Sequence, residues 1–193
     1  MFNSHQIDQI ISLTKPIGYG TLIVGIDGLA GAGKSTLANQ LIARLPGSRC
    51  VNIDDFYRPI HLGKIPKLES EELFENFFDW RRLKDHLLIP ASKNLAAVYY
   101  KYDWDSDKLS DQIKIPPTDV LIVEGVFALH PALRAFYQLK IYVDTPKPRR
   151  MNRIALRKYP DSSWMDLWIL AEEWYLNKFK PESHVDVVIQ GSA

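Results

Sequence analysis

The sequence has almost no cysteine and almost no net charge. Of its 193 residues, only Cys50 is a cysteine, which excludes a framework of intrachain disulfides. The 24 lysines and arginines nearly balance the 23 aspartates and glutamates, so the net charge is +1. Proteins that bind bulk nucleic acid carry a strong basic excess instead. We therefore expect no nucleic-acid partner.

Long apolar runs are also missing. No stretch reaches the roughly 20 apolar residues that a membrane-spanning helix needs. His5, Gln6 and Asp8 interrupt the apolar segment that a signal peptide requires. We expect no membrane partner and a cytoplasmic location, and the sequence leaves the oligomeric state open.

Several common signatures are absent as well. We find no internal repeat, no low-complexity tract, no cysteine and histidine cluster suited to a metal, and no G-x-S-x-G nucleophile elbow. Hydrophobic residues make up 46% of the chain and charged residues 24%, which is typical of globular proteins. At this length we expect a single domain over residues 1–193.

One glycine-rich stretch carries a specific signature. Residues 28–35 read GLAGAGKS and match the G-x-x-x-x-G-K-[ST] phosphate-binding loop at every fixed position, between an apolar run and a helical pattern. Glycines let the backbone approach phosphate, and the following helix start adds free N–H groups and the positive end of its dipole. The expected nucleotide-binding residues are Gly28, Gly31, Ala32, Gly33, Lys34, Ser35 and Thr36.

Two side chains of this loop have expected roles in chemistry. Lys34 would reach the β- and γ-phosphates of ATP, and Ser35 would place its hydroxyl on Mg²⁺. The alternative is a glycine-rich turn with an accidental Lys-Ser pair. Glycine usage makes such a chance match an event on the order of one per cent in a chain this short.

Carboxylates follow two predicted strands. The strand at 49–53 leads into Asp54 and Asp55, and the apolar run at 120–124 ends in Glu124. Ligands of open α/β sheets bind at the carboxyl ends of strands, so these residues are candidates for a site. Glu124 could hold a Mg²⁺-bound water or a substrate hydroxyl. Neighbours on an extended chain point in opposite directions, which predicts different roles for the two aspartates.

The surroundings of the aspartate pair allow two interpretations. Tyr57 and Arg58 could line the same cleft and contact a substrate together with Asp55. Alternatively, one of the two aspartates caps a turn or a helix.

A basic segment follows the strand predicted at 139–143. Arg150, Arg153 and Arg157 share one face if the segment is helical. Three stacked arginines repel one another unless an anion lies opposite. They would then close over phosphates and stabilise the charge that develops in the transition state. The alternative is a solvated basic face. We expect an arginine-bearing lid with its following helix at about 145–180.

The remaining patterns predict the secondary structure. A mobile loop is expected at 61–67, and a loop or hairpin at 106–114. Ser4 and Ser70 are expected to cap helices. Strands are predicted at 21–26, 49–53, 96–102, 120–124, 139–143 and 184–190, and helices at 4–14, from 34 to about 45, from Ser70 to about Leu87, and at 162–179. We therefore expect an α/β fold of three layers, with a parallel sheet of about five strands and helices on both faces.

The motifs together resemble the uridine kinase family, with pantothenate kinases and phosphoribulokinases as relatives. The resemblance covers most of the chain after residue 20 and implies the P-loop kinase fold. The matching pieces are GLAGAGKST (28–36), IDDFYR (53–58), FDW (78–80), YDW (102–104), VEG (123–125) and VDTPKPRRMNRIALR (143–157).

The resemblance also implies roles for individual residues. Asp54 aligns with the catalytic base near Mg²⁺, and Glu124 with the acidic strand end near the metal. Asp79, Tyr102 and Asp103 fall where the family holds its nucleoside, and the three arginines fall on its lid helix.

The chain departs from the family pattern at three places, one of which is a contracted aspartate-rich segment around Asp79. Where the family has a histidine that helps to read the pyrimidine base, five residues beyond Tyr102, this chain has Asp107. The Arg-Gly-Arg segment of the family's lid is replaced by the shorter stretch 159–163, which has no arginine.

The predicted function is ATP-dependent phosphoryl transfer to a hydroxyl of a small molecule, with a nucleoside as the best guess. A kinase of a non-nucleoside metabolite is one alternative. A nucleotide-dependent switch or ATPase without a small-molecule acceptor is another, although the N-K-x-D motif of G-proteins is missing. A nucleic-acid-directed kinase or ATPase is a third, and the near-neutral charge counts against it.

Overall fold

A computed structural model describes residues 2–14, 20–59, 69–157 and 162–191, except for the side chains of 162–164. The loop expected at 61–67, the residues expected to end the first helix at 15–18, and residues 158–161 of the expected lid lie outside these ranges.

Seven strands and seven α-helices account for most of the described chain. The strands are β1 (Leu22–Asp27), β2 (Ser48–Asn52), β3 (Ala97–Asp103), β4 (Lys108–Ile115), β5 (Val120–Glu124), β6 (Leu139–Asp144) and β7 (Val187–Gln190). The helices are α1 (Ser4–Leu13), α2 (Lys34–Ile42), α3 (Ser70–Phe77), α4 (Trp80–Leu83), α5 (Ile89–Ser92), α6 (Lys147–Ala155) and α7 (Ser162–Phe179). The π-helical segment Lys84–Leu88 joins α4 to α5.

Five of the strands form one parallel sheet in the order β2-β5-β1-β6-β7. All residues of β1 and β5 are buried, as the continuous apolar runs of a parallel sheet require. The remaining strands, β3 and β4, pair with each other as an antiparallel hairpin. Because all strands of the main sheet run the same way, their carboxyl ends lie along one edge.

Helices cover both faces of the sheet, which confirms the expected three layers. Alternate residues of β1 enter different cores, since Ile23 packs on one side while Leu22 and Val24 pack on the other. The first core includes side chains of α3, α4, α7 and the hairpin. The second includes side chains of α1 and α2. No helix among the described residues is both long and apolar enough to cross a bilayer.

Two predicted helix starts were wrong by one residue. Asn3 caps α1 and Glu69 caps α3, each in a reciprocal capping box with the residue three positions later. Ser4 and Ser70 are the first helical residues instead. These positions are preferred because each box makes two hydrogen bonds: the cap side chain accepts the N–H of the residue three positions later, and the side chain of that residue accepts the cap N–H.

The expected helix from Ser70 to about Leu87 is two helices with a break between them. Tyr57 and Phe78 form an isolated antiparallel bridge, and the Asp79 N–H donates to the Phe56 carbonyl at 2.8 Å. These tertiary hydrogen bonds replace the helical ones at that point.

Helix α2 also ends earlier than expected, at Ile42, and tight turns follow it.

His130 is a buried histidine held between aromatic rings in the first core. Its ring stacks on Trp80 at 4.4 Å and on Phe74 at 5.2 Å, and Nδ1 accepts the Ala132 N–H. Burial lowers its pKa to about 4, and nearby Arg134 adds to this effect. The His130 ring is therefore neutral in the folded protein at pH values above about 4.

We expect His130 to destabilise the fold in acid. In the unfolded chain His130 has a pKa of about 6.5 and becomes protonated below that pH. In the folded chain it stays neutral until the pH falls to about 4, so protonation favours the unfolded state between these values. The loss approaches about 3 kcal/mol at pH 4, at 1.36 kcal/mol per pKa unit. Urea unfolding of wild type and His130→Phe should show a stability difference that shifts by this amount between pH 7.5 and 4. A difference that stays constant over that range would contradict the prediction.

Candidate active site

The candidate site lies where β1, β2 and β5 end. After β1 the chain enters the phosphate loop, and after β2 it enters a 3₁₀ turn, Ile53–Phe56, that carries Asp54 and Asp55. Strand β5 ends in Glu124, which pairs in register with Ile26 on β1. Parallel pairing thus brings the three sequence segments to one edge.

Cationic side chains hold the carbonyl groups of the phosphate loop. Lys34 Nζ donates to the carbonyls of Gly28 (2.7 Å) and Leu29 (3.1 Å). Arg150 Nη1 donates to Ala30 (3.2 Å), and Arg153 Nη1 donates to Gly31 (3.0 Å) and Ala32 (3.2 Å). Every carbonyl from Gly28 to Ala32 therefore accepts a hydrogen bond from a cation.

The N–H groups at the start of α2 are arranged for an anion. The first backbone bond of the helix joins the Leu37 N–H to the Gly33 carbonyl at 3.0 Å. The preceding N–H groups have no partner within the helix, as at every helix start, and the helix dipole favours a negative charge there. These features fit the phosphates of a nucleotide.

Glycine is required at two points of the loop for different reasons. Gly33 caps α2 with φ +106°, a left-handed conformation that other residues rarely adopt. Gly31 has φ +76°, and a Cβ there would lie 2.7 Å from the Arg150 carbonyl oxygen. The loop therefore packs directly against the backbone of α6.

Lys34, Ser35 and Glu124 form a charged group at the mouth of the loop. Ser35 Oγ donates to Glu124 Oε1 at 2.8 Å. Lys34 is buried, and burial lowers its pKa while the carboxylates of Glu124 and Asp27 act in the opposite direction.

The oxygen ligands at this point fit Mg²⁺. No group of three or more histidine, cysteine, aspartate or glutamate side chains within the described ranges could hold a metal by itself. Mg²⁺ is usually held by one or two carboxylates together with substrate phosphates and waters. Ser35, Glu124 and Asp54 would supply such a set.

Asp54 is half-buried, and the fold disfavours the ionised form of its carboxyl group. Burial, with the charges of Glu124 and Asp55, raises its pKa to about 6, while Lys34 and Arg157 act against the rise. The carboxylate therefore lies among the groups expected to surround the transferred phosphoryl group. Asp54 lies in a 3₁₀ turn and not on an extended strand. The alternation of side chains along an extended chain, from which we predicted different roles for Asp54 and Asp55, therefore does not apply here.

Asp55 contacts the β3–β4 hairpin. Its carboxylate accepts a hydrogen bond from the Tyr99 hydroxyl at 2.7 Å and lies 3.7 Å from Lys101 Nζ. Arg82 fastens the same turn, since it donates to the carbonyls of Asp55 and Tyr57. The predicted substrate residue Asp55 thus has partners that hold the hairpin on the site.

The other residues predicted on the acceptor side also have partners in the chain. The Asp79 carboxylate accepts the Arg82 N–H and caps α4. The Tyr102 hydroxyl donates to Asp107 at 2.8 Å, and Asp103 accepts from both the N–H and the hydroxyl of Ser106.

Tyr57 and Arg58 complete the predicted acceptor side. Tyr57 is buried, with its ring 4.6 Å from that of Trp104 and 5.4 Å from that of Tyr102. Arg58 is half-buried, and its backbone N–H donates to the Phe77 carbonyl at 2.9 Å.

The three arginines do not form one uniform face. Arg150 is buried and also lies 3.6 Å from Glu172, whereas Arg153 is half-buried against the loop. Arg157 lies beyond the last residue of α6 and is exposed, close enough to Asp54 to affect its pKa. The expectation that all three stack along a helix was therefore wrong for Arg157.

Two buried carboxylates of this region were not predicted. Asp27 accepts hydrogen bonds from the N–H groups of Gly28, Phe127 and Leu129 and from the Tyr175 hydroxyl at 2.6 Å. Glu172 accepts the Ala30 N–H. Asp27 could have been found as a carboxylate that ends an apolar run. Nothing in the sequence distinguishes Glu172 from the adjacent Glu173.

Comparison with known proteins identifies the family. The model of the phosphoribulokinase / uridine kinase family matches residues 23–158, well over half of the chain. The chain belongs to this family. A uridine kinase of Staphylococcus haemolyticus is 34% identical over 169 residues, which cover 83% of this chain and 79% of that protein.

Two further relatives of the phosphoribulokinase / uridine kinase family support the assignment. A uridine kinase of Alkaliphilus metalliredigens is 32% identical over 137 residues, which cover 68% of this chain but only 65% of that protein, less than two thirds. A solved structure described as a possible uridine kinase from Bacillus stearothermophilus matches with a TM-score of 0.74 at 26% identity, covering 96% of this chain and 97% of that one. The expected family and fold are thereby confirmed.

We expect Gly31→Ala to destabilise the protein more than Gly33→Ala. Both substitutions force a non-glycine residue into a positive φ, which costs about 1–2 kcal/mol. At Gly33 the nearest atoms to a new Cβ are 3.6 Å away, whereas at Gly31 the Arg150 backbone must move, adding about 1–3 kcal/mol. Denaturant unfolding of the two variants measures this order. Equal losses in the free energy of unfolding would show that the loop can move away from α6 and relieve the contact with the Arg150 backbone.

Proposed function

We propose that this protein is a kinase that transfers the γ-phosphoryl group of ATP to a hydroxyl of a small molecule, with a nucleoside as the best-supported acceptor. The observation that carries the proposal is the half-buried Asp54 carboxylate, with a pKa of about 6, beside Glu124, Lys34 and Arg157. A general base works best when its pKa lies near the working pH. Family membership supports the same class of reaction.

In the proposed mechanism the chain binds the donor and activates the acceptor. The N–H groups of the loop and the Lys34 ammonium bind the phosphate chain of ATP. Asp54 orients the acceptor hydroxyl and takes its proton as the oxygen bonds to the γ-phosphorus. The bond from that phosphorus to the β,γ-bridging oxygen breaks, and ADP leaves. Arg157 adds positive charge where negative charge develops. Ser35, Glu124 and Asp54 would hold Mg²⁺, which when bound neutralises phosphate charge.

A second candidate acceptor is a metabolite other than a nucleoside. Tyr102 is bonded to Asp107, at the position where the family resemblance places a base-reading histidine. An aspartate there presents an acceptor of hydrogen bonds and a negative charge. It therefore favours an acceptor with donor groups over the hydrogen-bonding edge that a histidine reads in a pyrimidine.

We expect Asp54→Asn to reduce kcat by about 10²–10⁴-fold, the usual contribution of a general base. The affinity for ADP should change little, because the loop that binds phosphate is untouched. Product formation with ATP and a panel of nucleosides and sugar alcohols, together with calorimetric ADP binding, measures both. Asp111→Asn, on the exposed face of β4, is the control. Normal turnover by Asp54→Asn would show that the base is assigned wrongly.

The same substitution should stabilise the protein without ligands. The folded-state pKa of Asp54 is raised from 3.8 to about 6, so the ionised form destabilises the fold above pH 6. Removing the charge should raise the free energy of unfolding at pH 7.5 by about 1–2 kcal/mol, allowing for solvent screening of the partly exposed group. The gain should disappear as pH falls from 6 toward 4.

The pH dependence of the reaction gives an independent check of Asp54. A base with a pKa of about 6 loses its ionised form as pH falls through that value. Therefore kcat/KM should fall tenfold per unit below about pH 6 and be flat just above it. Initial rates between pH 4.5 and 8 measure the profile. A rate that is level down to pH 5 would be inconsistent with Asp54 as the base.

A further inference from the structure

Glu172 on α7 reaches the backbone of the phosphate loop. Its Oε1 accepts the Ala30 N–H at 2.6 Å and the Trp168 indole N–H at 3.0 Å. Only 3% of the surface of this side chain is exposed. A carboxylate placed this deep beside a phosphate site needs compensating contacts, because it repels the ligand as well as losing its hydration.

Arg150 on α6 supplies that compensation and holds the other end of the same residue. Its Nη1 donates to the Ala30 carbonyl at 3.2 Å and lies 3.6 Å from Glu172 Oε2. Arg150 is buried as well, and Nε donates to the Thr145 carbonyl. Ala30 is therefore clamped at its N–H and its C=O by a buried ion pair.

The clamp determines which way the loop's peptide groups face. The N–H and C=O of a trans peptide point in opposite directions. With the Ala30 C=O on Arg150, the Gly31 N–H of the same peptide unit must face the opposite side. With the Ala30 N–H on Glu172, the Leu29 carbonyl is turned toward Lys34, which it contacts at 3.1 Å.

We propose that Glu172 is a positioning residue for the donor phosphates, acting with Arg150 to orient the peptide groups on both sides of Ala30. The inference rests on the proposed function in that it takes nucleotide phosphates as the ligand. A buried ion pair is weak evidence for stability alone, since an apolar pair of similar volume often serves as well. Here the ion pair hydrogen-bonds to the N–H and C=O of Ala30. An apolar pair makes no hydrogen bonds and could not orient these groups.

The test compares Glu172→Ala, Glu172→Gln and the control Glu173→Ala. Glu173 is the next residue of α7, half exposed and paired with Lys147 at 3.4 Å. Calorimetry with ADP and with tripolyphosphate should show affinities at least tenfold weaker for Glu172→Ala. Glu172→Gln keeps an oxygen for the Ala30 N–H and should recover most of the loss. Glu173→Ala should match wild type.

A second measurement reports the clamp without any ligand. In a ¹⁵N-resolved spectrum the Ala30 amide proton, bonded to a buried carboxylate, should be shifted far downfield and exchange slowly with solvent. Glu172→Gln should move it upfield while the protein remains folded. In steady-state kinetics, Glu172→Ala should raise the KM for ATP and leave the KM for the acceptor unchanged.

Two outcomes would overturn the inference. One is equal ADP and tripolyphosphate affinity in wild type and a folded Glu172→Ala variant. The other is an Ala30 amide signal that does not respond to Glu172→Gln. Both are separate from the proposed function, which fails if wild type binds ADP but phosphorylates no acceptor while the effects of Glu172 on binding persist.

Discussion

The phosphate loop depends on partners for its carbonyl groups. A loop that offers its N–H groups to an anion must turn its carbonyls the other way, and buried carbonyls cannot be left unpaired. Lys34, Arg150 and Arg153 meet this need from Gly28 to Ala32. The loop is therefore completed by α6, which lies more than a hundred residues later in the chain. This explains why Gly31 is packed against the Arg150 backbone.

The same arrangement places several carboxylates in a small volume. Asp27 satisfies both of its oxygens with four hydrogen bonds, and Glu172 is balanced by Arg150. Burial raises the pKa of all three carboxylates, but hydrogen bonds act against the rise at Asp27 and Glu172, whereas at Asp54 only the charges of Lys34 and Arg157 do. The charge of Asp54 is therefore less well compensated. Poor compensation is expected of a group whose proper partners, a hydroxyl proton and a cation, arrive with the substrates.

Local patterns in the sequence predicted the parts of the site that depend on neighbouring residues. The loop, its entering strand and Glu124 at the end of β5 follow from short runs, because burial on both faces imposes continuous apolar segments. Helix caps and ends were less accurate, since Glu69 competes with Ser70 for the cap of α3. Glu172 and the division of roles among the arginines could not be predicted. They depend on how α6 and α7 dock on the loop.

The docking of α6 divides the three arginines of the basic segment into two groups. Arg150 and Arg153 lie within α6 and are engaged with the loop, so they move little without disturbing the donor site. Arg157 lies two residues beyond the end of the helix at Ala155, and its N–H donates to the Ile154 carbonyl at 2.9 Å. Two residues expected to bind the acceptor make hydrogen bonds within the chain: Asp79 accepts the Arg82 N–H, and the Tyr102 hydroxyl donates to Asp107. The positive charge that acts on Asp54 from the basic segment therefore comes from a residue outside the helix that holds the loop.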